Sequence, residues 1–342
     1  MTRLNFSLLL IALGFFLNAQ QIKVLSQEKS DVSFRGISVL DNSVFWVCGT
    51  KGTVGMSYNG GKAFKWVHPK GYENRDFRDI HAWDYKTAIV MAVGSPGVIL
   101  KTKDSGNTWY EVFKDENANV FFDAMDFYER NENIGILVGD PVEHSLPYIL
   151  VTHNKGELWE KISSTDKYPP MGAGEAFFAA SGSNVKMIND STSIMVSGGN
   201  TSSFIVNSKP AFKQSLKKGT TETSGANGID YSSFENYGII VGGDYMNPES
   251  SENNLILFDY NRVKNPTFSY PEAAPKGYKS SVTIIDKTKA VACGISGVDI
   301  SMDKGKNWKH ISPEGFNVCQ RAKNGNKVYM AGPDGKIGML IE

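Results

Sequence analysis

Short hydrophobic runs recur along the chain, each followed by a glycine and separated from the next by polar, glycine-containing stretches. Runs of four to six apolar residues bounded by turn residues are typical of buried β-strands, and no stretch shows the 3.6-residue periodicity of a long helix. Seven runs recur at a mean interval of about 47 residues, close to the length of a four-stranded propeller blade. Their final glycines are Gly49, Gly94, Gly139, Gly198, Gly242, Gly294 and Gly332.

A second repeated segment is a polar turn followed by a tryptophan. Three copies read [S/T]-x-[D/N]-x-G-x-x-W, and in a fourth copy Trp66 is displaced by two positions. Asp or Asn accepts hydrogen bonds from the backbone ahead, glycine adopts positive φ, and tryptophan packs on the next strand, which predicts a hairpin turn. We assign structural roles to Asn59, Asp104, Trp109, Asn154, Trp159, Asp303 and Trp308.

The two repeats together predict an all-β fold, a seven-bladed β-propeller over residues 20–342. Each blade is expected to contain four strands, a to d from the centre outwards, with the tryptophan turn between c and d. The final stretch of sequence provides only three strands for the last blade, and the predicted strand at residues 22–26 belongs to no other blade. This N-terminal strand should complete the seventh blade and close the ring, which removes two free sheet edges.

The first 19 residues have the pattern of a targeting segment. Arg3 gives a positive start, residues 8–17 are apolar, and Ala19 is a small residue at a plausible cleavage point. Ten apolar residues are too few to span a bilayer, which needs about 20. We expect cleavage near Ala19 and an exported protein, periplasmic or secreted, without a transmembrane anchor in the mature chain. An uncleaved anchor is the alternative.

Charge and cysteine content narrow the class of protein. The chain carries 36 basic and 36 acidic residues, and this balance argues against nucleic-acid binding, which requires a basic surplus. A hydrophobic content of 41% suffices for a large core. The chain has only three cysteines, an odd number, and each is set in an apolar run: Cys48, Cys293 and Cys319. We expect buried thiols, and a single disulfide between two of them is the alternative.

Propeller connectivity brings the starts of the a strands and the b–c turns to one face. Aligned starts place Arg35, Arg78 and Lys279 at equivalent positions on blades 1, 2 and 6, where they predict a basic arc at the central mouth. Acidic groups on blades 3 to 5 lie across the ring, and such a mouth suits an anionic or zwitterionic ligand such as a peptide terminus. The candidate ligand-binding residues are Arg35, Arg78, Asp79, Asp123, Asp140, Glu175, Asp244, Tyr245 and Lys279.

Structural roles are the alternative for several of these side chains. Arg78 and Asp123 stand on neighbouring blades and would pair across the blade interface, and Asp123 and Asp126 would cap turns. The aromatic pairs at residues 121–122 and 177–178 are expected to form core between blades rather than a ligand platform.

The tryptophan turn is that of the Asp-box or BNR repeat, which also occurs in sialidases and other secreted propellers. Further segments stand at the strand starts and strand ends: residues 33–36 (SFRG), 46–49 (WVCG), 76–80 (DFRDI), 122–127 (FDAMDF), 138–141 (VGDP), 174–182 (GEAFFAASG), 241–245 (VGGDY) and 278–280 (YKS). Through these segments the whole mature chain resembles the family related to the plant and cyanobacterial photosystem II stability/assembly factor. This resemblance implies a non-catalytic scaffold that binds a protein segment through a basic patch on one propeller face; some bacterial relatives carry the label oxidoreductase.

A sialidase-like glycoside hydrolase is the main alternative function, for which Arg35, Arg78, Glu175, Tyr245 and Asp79 would supply the machinery. The Phe-Arg-Ile-Pro signature is absent, however, and a third arginine is missing. An oxidoreductase lacks support because the chain has no G-x-G-x-x-G, no C-x-x-C-H and no paired metal-binding histidines. We therefore predict a binding protein without cofactor or metal. The histidines are His68, His81, His144, His153 and His310.

Overall fold

The computed structural model describes residues 20–142, 145–163, 166–208, 210–216, 221–261 and 265–341, so the predicted signal peptide lies outside the described residues. Every regular element in the described ranges is a β-strand, and the strands form seven sheets that each contain one four-stranded blade. The seven-bladed β-propeller is confirmed. A search of the same ranges for a helix of membrane-spanning length and apolarity finds none.

The chain enters through β1 (Gln21–Ser26) and then builds three regular blades. Blade 1 contains β2 (Phe34–Val39), β3 (Phe45–Gly49), β4 (Val54–Ser57) and β5 (Lys65–Val67). Blade 2 contains β6 (Phe77–Ala82), β7 (Ala88–Ala92), β8 (Gly97–Thr102) and β9 (Tyr110–Asp115). Blade 3 contains β10 (Phe122–Phe127), β11 (Gly135–Gly139), β12 (Tyr148–Thr152) and β13 (Glu160–Ile162).

Blades 4 and 5 are connected by two short extra strands, β14 (Glu175–Ala176) and β17 (Gly198–Gly199), that join the sheet of blade 5. Blade 4 contains β15 (Val185–Met187), β16 (Ser193–Val196), β18 (Ser203–Val206) and β19 (Phe212–Ser215), and blade 5 contains β20 (Ser224–Ser232), β21 (Tyr237–Asp244), β22 (Leu255–Asp259) and β23 (Thr267–Ser269). Blade 6 contains β24 (Ser281–Ile284), β25 (Ala290–Gly294), β26 (Gly297–Ser301) and β27 (Trp308–Ser312), and blade 7 contains β28 (Val318–Arg321), β29 (Val328–Ala331) and β30 (Ile337–Ile341).

Strand β1 supplies the fourth strand of blade 7. It pairs antiparallel with β30, with Gln21 opposite Ile341 and Val24 opposite Gly338. The predicted closure of the ring by the N-terminal strand is therefore present. Because neighbouring strands in every blade are antiparallel, the a-strand starts and b–c turns share one face, the upper face, and the a–b and c–d turns share the lower face.

The hydrophobic core is divided among the blade interfaces. Buried side chains of the described residues form seven clusters, one between each pair of adjacent blades around the ring. Phe122 and Phe177 belong to these clusters, whereas Phe121 and Phe178 are half-buried. The repeated terminal glycine has a steric cause: a Cβ on Gly49 would approach the Ser33 carbonyl oxygen to 2.3 Å, where the incoming loop crosses the strand end.

Hydrogen bonds join the innermost strands at every blade interface. Each bond runs from a backbone amide of one blade to an oxygen of the blade before it, over 2.6–3.2 Å. Since these amides are turned away from their own sheet ladder, the oxygens satisfy groups that would otherwise be buried without a partner. The acceptors, in blade order, are the side chains of Ser38, Asp79 and Asp126, the Ser183 carbonyl, and the side chains of Asp230, Thr283 and Gln320.

The c–d turns have the hydrogen bonds that their sequence suggests. In blade 2 the Asp104 carboxylate accepts the Thr102 hydroxyl and the Thr108 amide, and the Gly106 amide donates to Thr102 Oγ1. Asn59, Asn154 and Asp303 accept the equivalent bonds on blades 1, 3 and 6. The Trp109 and Trp308 indoles donate to turn carbonyls, whereas the Trp159 indole nitrogen is buried without a partner among the described residues.

The three cysteines are buried and unpaired, as their apolar setting predicts.

Candidate functional site

Arg35 and Arg78 occupy the same position on neighbouring blades. Each sits at a β-bulge in the a strand, where the pairing with the b strand skips one residue. A bulge turns its extra side chain away from the alternation of the strand, so both guanidinium groups point towards the upper end of the channel. Arg35 Nη1 lies 3.5 Å from the Ala180 carbonyl oxygen, and Arg78 Nη1 lies 2.6 Å from that of Ala179. The two arginines therefore converge at one place, the upper mouth.

The charges at the upper mouth are only partly balanced. Arg78 Nε donates to Asp76 Oδ2 at 2.7 Å, but Arg35 forms no ion pair within the described part of the chain. The Nε atom of Arg35 is buried and has no hydrogen-bond partner there. Burial, and then the charge of Arg78, lower the pKa of Arg35, although an arginine keeps its proton in proteins. The upper mouth can therefore accept an anionic group.

Residues 178–183, the crossing segment, lie across the upper end of the channel. The segment belongs to the entry of blade 4, yet it contacts both arginines on blades 1 and 2. Ser181 Oγ donates to the Ser280 carbonyl on blade 6, and the Ser183 carbonyl accepts the Ile229 amide on blade 5. Gly182 has a φ of +62°, and a Cβ there would meet the Asp79 carboxylate at 2.4 Å. A ligand at the upper mouth would thus bind above this segment, outside the channel.

An aromatic edge borders the upper mouth. Tyr245, in the b–c turn of blade 5, is 41% exposed and packs edge-on against Phe178 and Tyr278, with ring centroids 5.9 Å and 6.4 Å away. Met246 beside it is 72% exposed. The partly paired guanidinium of Arg35 and this apolar surface can together contact both an anionic group and an apolar side chain.

Lys279 does not join the two arginines, contrary to the sequence alignment. Its side chain is fully buried in blade 6, and its ammonium forms a 2.8 Å ion pair with Asp299. It also donates to the Ser296 hydroxyl and the Gly297 carbonyl. The buried carboxylate on β26 holds the lysine inside the blade, so the expected basic arc consists of two arginines instead of three cations.

Asp79 and Glu175 also lie away from the upper mouth. Asp79 is buried in the channel wall, where its two oxygens accept the Ile80 and Met125 amides. The Glu175 side chain is buried between blades 4 and 5; it forms a 2.8 Å ion pair with Lys213 and accepts the Ser197 hydroxyl. Both carboxylates have internal partners and serve the fold.

Asp123 and Asp140 form a carboxyl pair beneath the upper face of blade 3. Asp123 is fully buried, neither of its oxygens has a hydrogen-bond partner in the described residues, and it does not pair with Arg78. Burial and the neighbouring Asp140 raise the pKa of Asp123 well above its usual value. Asp140 accepts the Phe177 amide, and burial raises its pKa to about 6. Asp126 accepts the Met187 amide of the next blade, so it joins blades and does not cap a turn.

Asp244 has a local role in its own turn. It accepts the Thr223 hydroxyl and the Met246 amide, which fixes the b–c turn that presents Tyr245.

The residues proposed for a sialidase mechanism do not converge. Glu175 is paired with Lys213, Asp79 lies behind Gly182 in the channel, and only Arg35, Arg78 and Tyr245 reach the upper surface. Among the described residues no three His, Cys, Asp or Glu side chains are grouped to hold a metal ion. His144 lies outside those residues, and burial lowers the pKa of His81 to about 3.

Sequence reasoning missed two groups of cations. The Arg75 guanidinium bonds to the carbonyls of Val93, Gly94 and Pro96 and holds the b–c turn of blade 2 on the upper face. Lys186 and Arg321 lie in the channel wall on blades 4 and 7. Lys186 and Arg321 could have been found in the sequence, because each is a charged residue inside an otherwise apolar innermost strand.

No protein-family model matches the chain, and neither does any curated protein sequence. Solved structures do match. A structure described as YCF48 bound to D1 peptide has a TM-score of 0.63 at 12% identity, covering 95% of this chain and 97% of that chain. YCF48 from Cyanidioschyzon merolae has a TM-score of 0.63 at 16% identity, covering 93% and 98%. A streptogramin B lyase structure has a TM-score of 0.64 at 10% identity, covering 94% and 98%. At these identities the likeness establishes the propeller fold alone.

Proposed function

We propose that this protein is an exported, non-catalytic propeller that binds a protein or peptide segment on its upper face, at Arg35 and Arg78. It acts outside the cytoplasm after cleavage near Ala19, and an acidic side chain or a chain terminus of the partner enters the upper mouth.

The observation that carries this proposal is the incomplete pairing of Arg35. A half-buried guanidinium beside a second one, with a buried Nε that has no partner in the described residues, is costly unless a ligand supplies acceptors. Arginine donates in a planar fork that matches a carboxylate, and a charge-assisted bond is about twice as strong as a neutral one. The exposed Tyr245 and Met246 beside it offer apolar contact to the rest of a segment.

The fold comparison supports a peptide as the ligand class. One similar solved structure holds a peptide, and the likeness extends over 95% of this chain. A second similar propeller is a lyase, so the propeller fold by itself does not determine the function of this chain.

The test is capture of the partner from the exported fraction of the source cells, followed by measurement of its affinity. The Arg35→Ala/Arg78→Ala double variant should bind the partner at least tenfold more weakly, because each lost charged hydrogen bond contributes about 1.5–3 kcal/mol. Arg35→Lys/Arg78→Lys keeps the charge and should recover only part of the affinity.

The matched control is Arg130→Ala, which removes an exposed arginine from an a–b turn on the lower face. It should leave the affinity unchanged, and thermal unfolding should show that all variants keep the fold. Equal affinity of the double alanine variant and the unaltered protein would overturn the proposal.

A further inference from the structure

The central channel contains a cavity of about 410 Å³ that opens towards the lower face. Its wall is formed by the innermost strands, its lower rim by the a–b turns of blades 3, 5 and 6, and its upper end by residues 181–183 of the crossing segment. The volume lies within the range of small-molecule pockets, about 300–1,000 Å³. The crossing segment separates this channel cavity from the upper mouth, so the two are different sites.

Most of the charged side chains in the channel cavity already have partners. Lys323 forms a 2.5 Å ion pair with Glu132 and also donates to the Ala82 carbonyl. Asp230 accepts the Tyr231 and Ile284 amides with its two oxygens. Lys323 links blade 7 to blades 2 and 3, and Asp230 links blade 5 to blade 6, so these groups leave little capacity for a ligand.

Two cations in the channel cavity have free donors. Lys186 Nζ has no hydrogen-bond acceptor among the described residues. It forms an ion pair with Asp230, but the distance to Asp230 Oδ1, 3.8 Å, is too long for a hydrogen bond. One third of the Lys186 side chain is accessible, and Asp126 and Asp230 hold its pKa above the usual value, so it stays charged. Arg321 on blade 7 lies close enough to Lys186 for its positive charge to lower the pKa of Lys186. Its Nη1 donates to the Gly325 carbonyl at 3.3 Å, and its other guanidinium nitrogens donate no hydrogen bond within the described residues.

Two carboxylates in the same cavity have free acceptors. Asp126 Oδ2 accepts the Met187 amide, while its Oδ1 accepts no hydrogen bond within the described ranges. Glu129, at the rim, is exposed and has no ion pair or hydrogen bond there. Asp126 and Glu129 raise the pKa of Lys186 by their charge, but no hydrogen bond joins either carboxylate to Lys186 or Arg321 in the described residues. The channel cavity therefore presents donors and acceptors of opposite charge that remain able to bond to a ligand.

We propose that the channel cavity binds a small zwitterion of amino-acid or dipeptide size, with its carboxylate on Lys186 and Arg321 and its ammonium group facing Asp126 and Glu129. A simple anion would be repelled by Asp126 and Glu129, and a simple cation would be repelled by Lys186 and Arg321. A molecule with both charges can form charge-assisted hydrogen bonds with both sets at once, because each of its charged groups then faces side chains of opposite sign. This site is independent of the proposed peptide site.

The test compares three probes by titration calorimetry on the purified protein. Glycylglycine carries both charges, N-acetylglycylglycine only the negative one, and glycylglycinamide only the positive one. Glycylglycine should bind at least tenfold more tightly than either capped probe. Failure of glycylglycine to bind, or equal binding of one capped probe, would overturn the proposal.

Two variants locate the binding. Lys186→Met should weaken glycylglycine binding at least tenfold, whereas Lys309→Met, at an exposed position on β27, should not change it. Lys186 lies among carboxylates, so its loss risks unfolding; Glu129→Gln at the exposed rim avoids this risk and should weaken glycylglycine binding several-fold.

Arg35→Ala/Arg78→Ala separates the two sites and should leave glycylglycine binding unchanged. Normal binding by both Lys186→Met and Glu129→Gln, or lost binding in the arginine variant, would place the ligand elsewhere and contradict the proposal.

Discussion

At the scale of single residues, equivalent sequence positions acquire different roles because of their neighbours. Arg35, Arg78 and Lys279 align at the starts of three a strands, yet only the arginines reach the upper mouth. Lys279 is turned inward by the buried Asp299 on another strand of its own blade. The alignment revealed the shared position, but the partner of a long side chain depends on contacts between residues distant in sequence.

Asp140 provides a prediction about pH at this scale. Its pKa of about 6 in the folded protein exceeds the usual unfolded value of about 3.9, so folding takes up a proton between these pH values. The contribution of the protonated Asp140 carboxyl to the free energy of unfolding is fully present below about pH 4 and is lost as the pH rises through about 6. Asp140→Asn stays neutral and can still accept the Phe177 amide. Relative to the unaltered protein, its free energy of unfolding should therefore increase from pH 4 to pH 7, by about 1–3 kcal/mol.

Urea unfolding followed by tryptophan fluorescence at the two pH values measures this difference. If the free energy of unfolding of Asp140→Asn, relative to the unaltered protein, stays constant or falls as the pH rises, then ionisation of Asp140 does not destabilise the folded protein.

At the scale of elements, the sequence predicted the strands and turns well because their signals are local. The c–d turns follow from an Asp or Asn and a glycine a few positions apart, and the glycine after each b strand marks a crossing loop. The hydrogen bonds between innermost strands were not predictable in the same way. Ser38 and Ala82, for example, are 44 residues apart and carry no motif.

Ser38 tests the contribution of one blade interface. Ser38 is 1% exposed, and its hydroxyl accepts the Ala82 amide at 2.9 Å. Ser38→Ala leaves that buried amide unpaired, which should lower the free energy of unfolding by about 1–3 kcal/mol. Ser233→Ala, at an exposed position, should change it by less than about 0.5 kcal/mol. Equal stability of the two variants in urea unfolding would mean that water or a shifted backbone replaces the bond.

At the scale of the whole molecule, the repeat interval was sufficient to predict seven blades and the closing role of the N-terminal strand. The crossing segment was not predictable, because its course depends on contacts with blades 1, 2, 5 and 6 at once. This segment separates the upper mouth from the channel cavity.

Ring closure gives a prediction at this scale. Deleting residues 20–26 exposes the edge of β30, so the shortened protein should unfold at a lower temperature and associate through the open edge. Gln21 lies opposite Ile341, so a permuted chain with residues 20–26 attached behind the C-terminus by a short turn should form an ordinary hairpin and recover the monomer. Size-exclusion chromatography and thermal unfolding measure both variants. A stable monomer after the deletion would contradict the closing role of β1.

Site-directed photo-crosslinking shows whether a partner segment lies on the upper face. A benzophenone amino acid replaces either Tyr245, 41% exposed at the upper mouth, or Tyr58, 62% exposed in a c–d turn on the lower face. Both substitutions exchange an exposed tyrosine for a larger aromatic group, and both proteins are irradiated in the exported fraction. We expect a defined adduct with the partner from position 245 and none from position 58; an adduct from position 58 alone, or equal adducts from both, would show that the partner does not lie on the upper face.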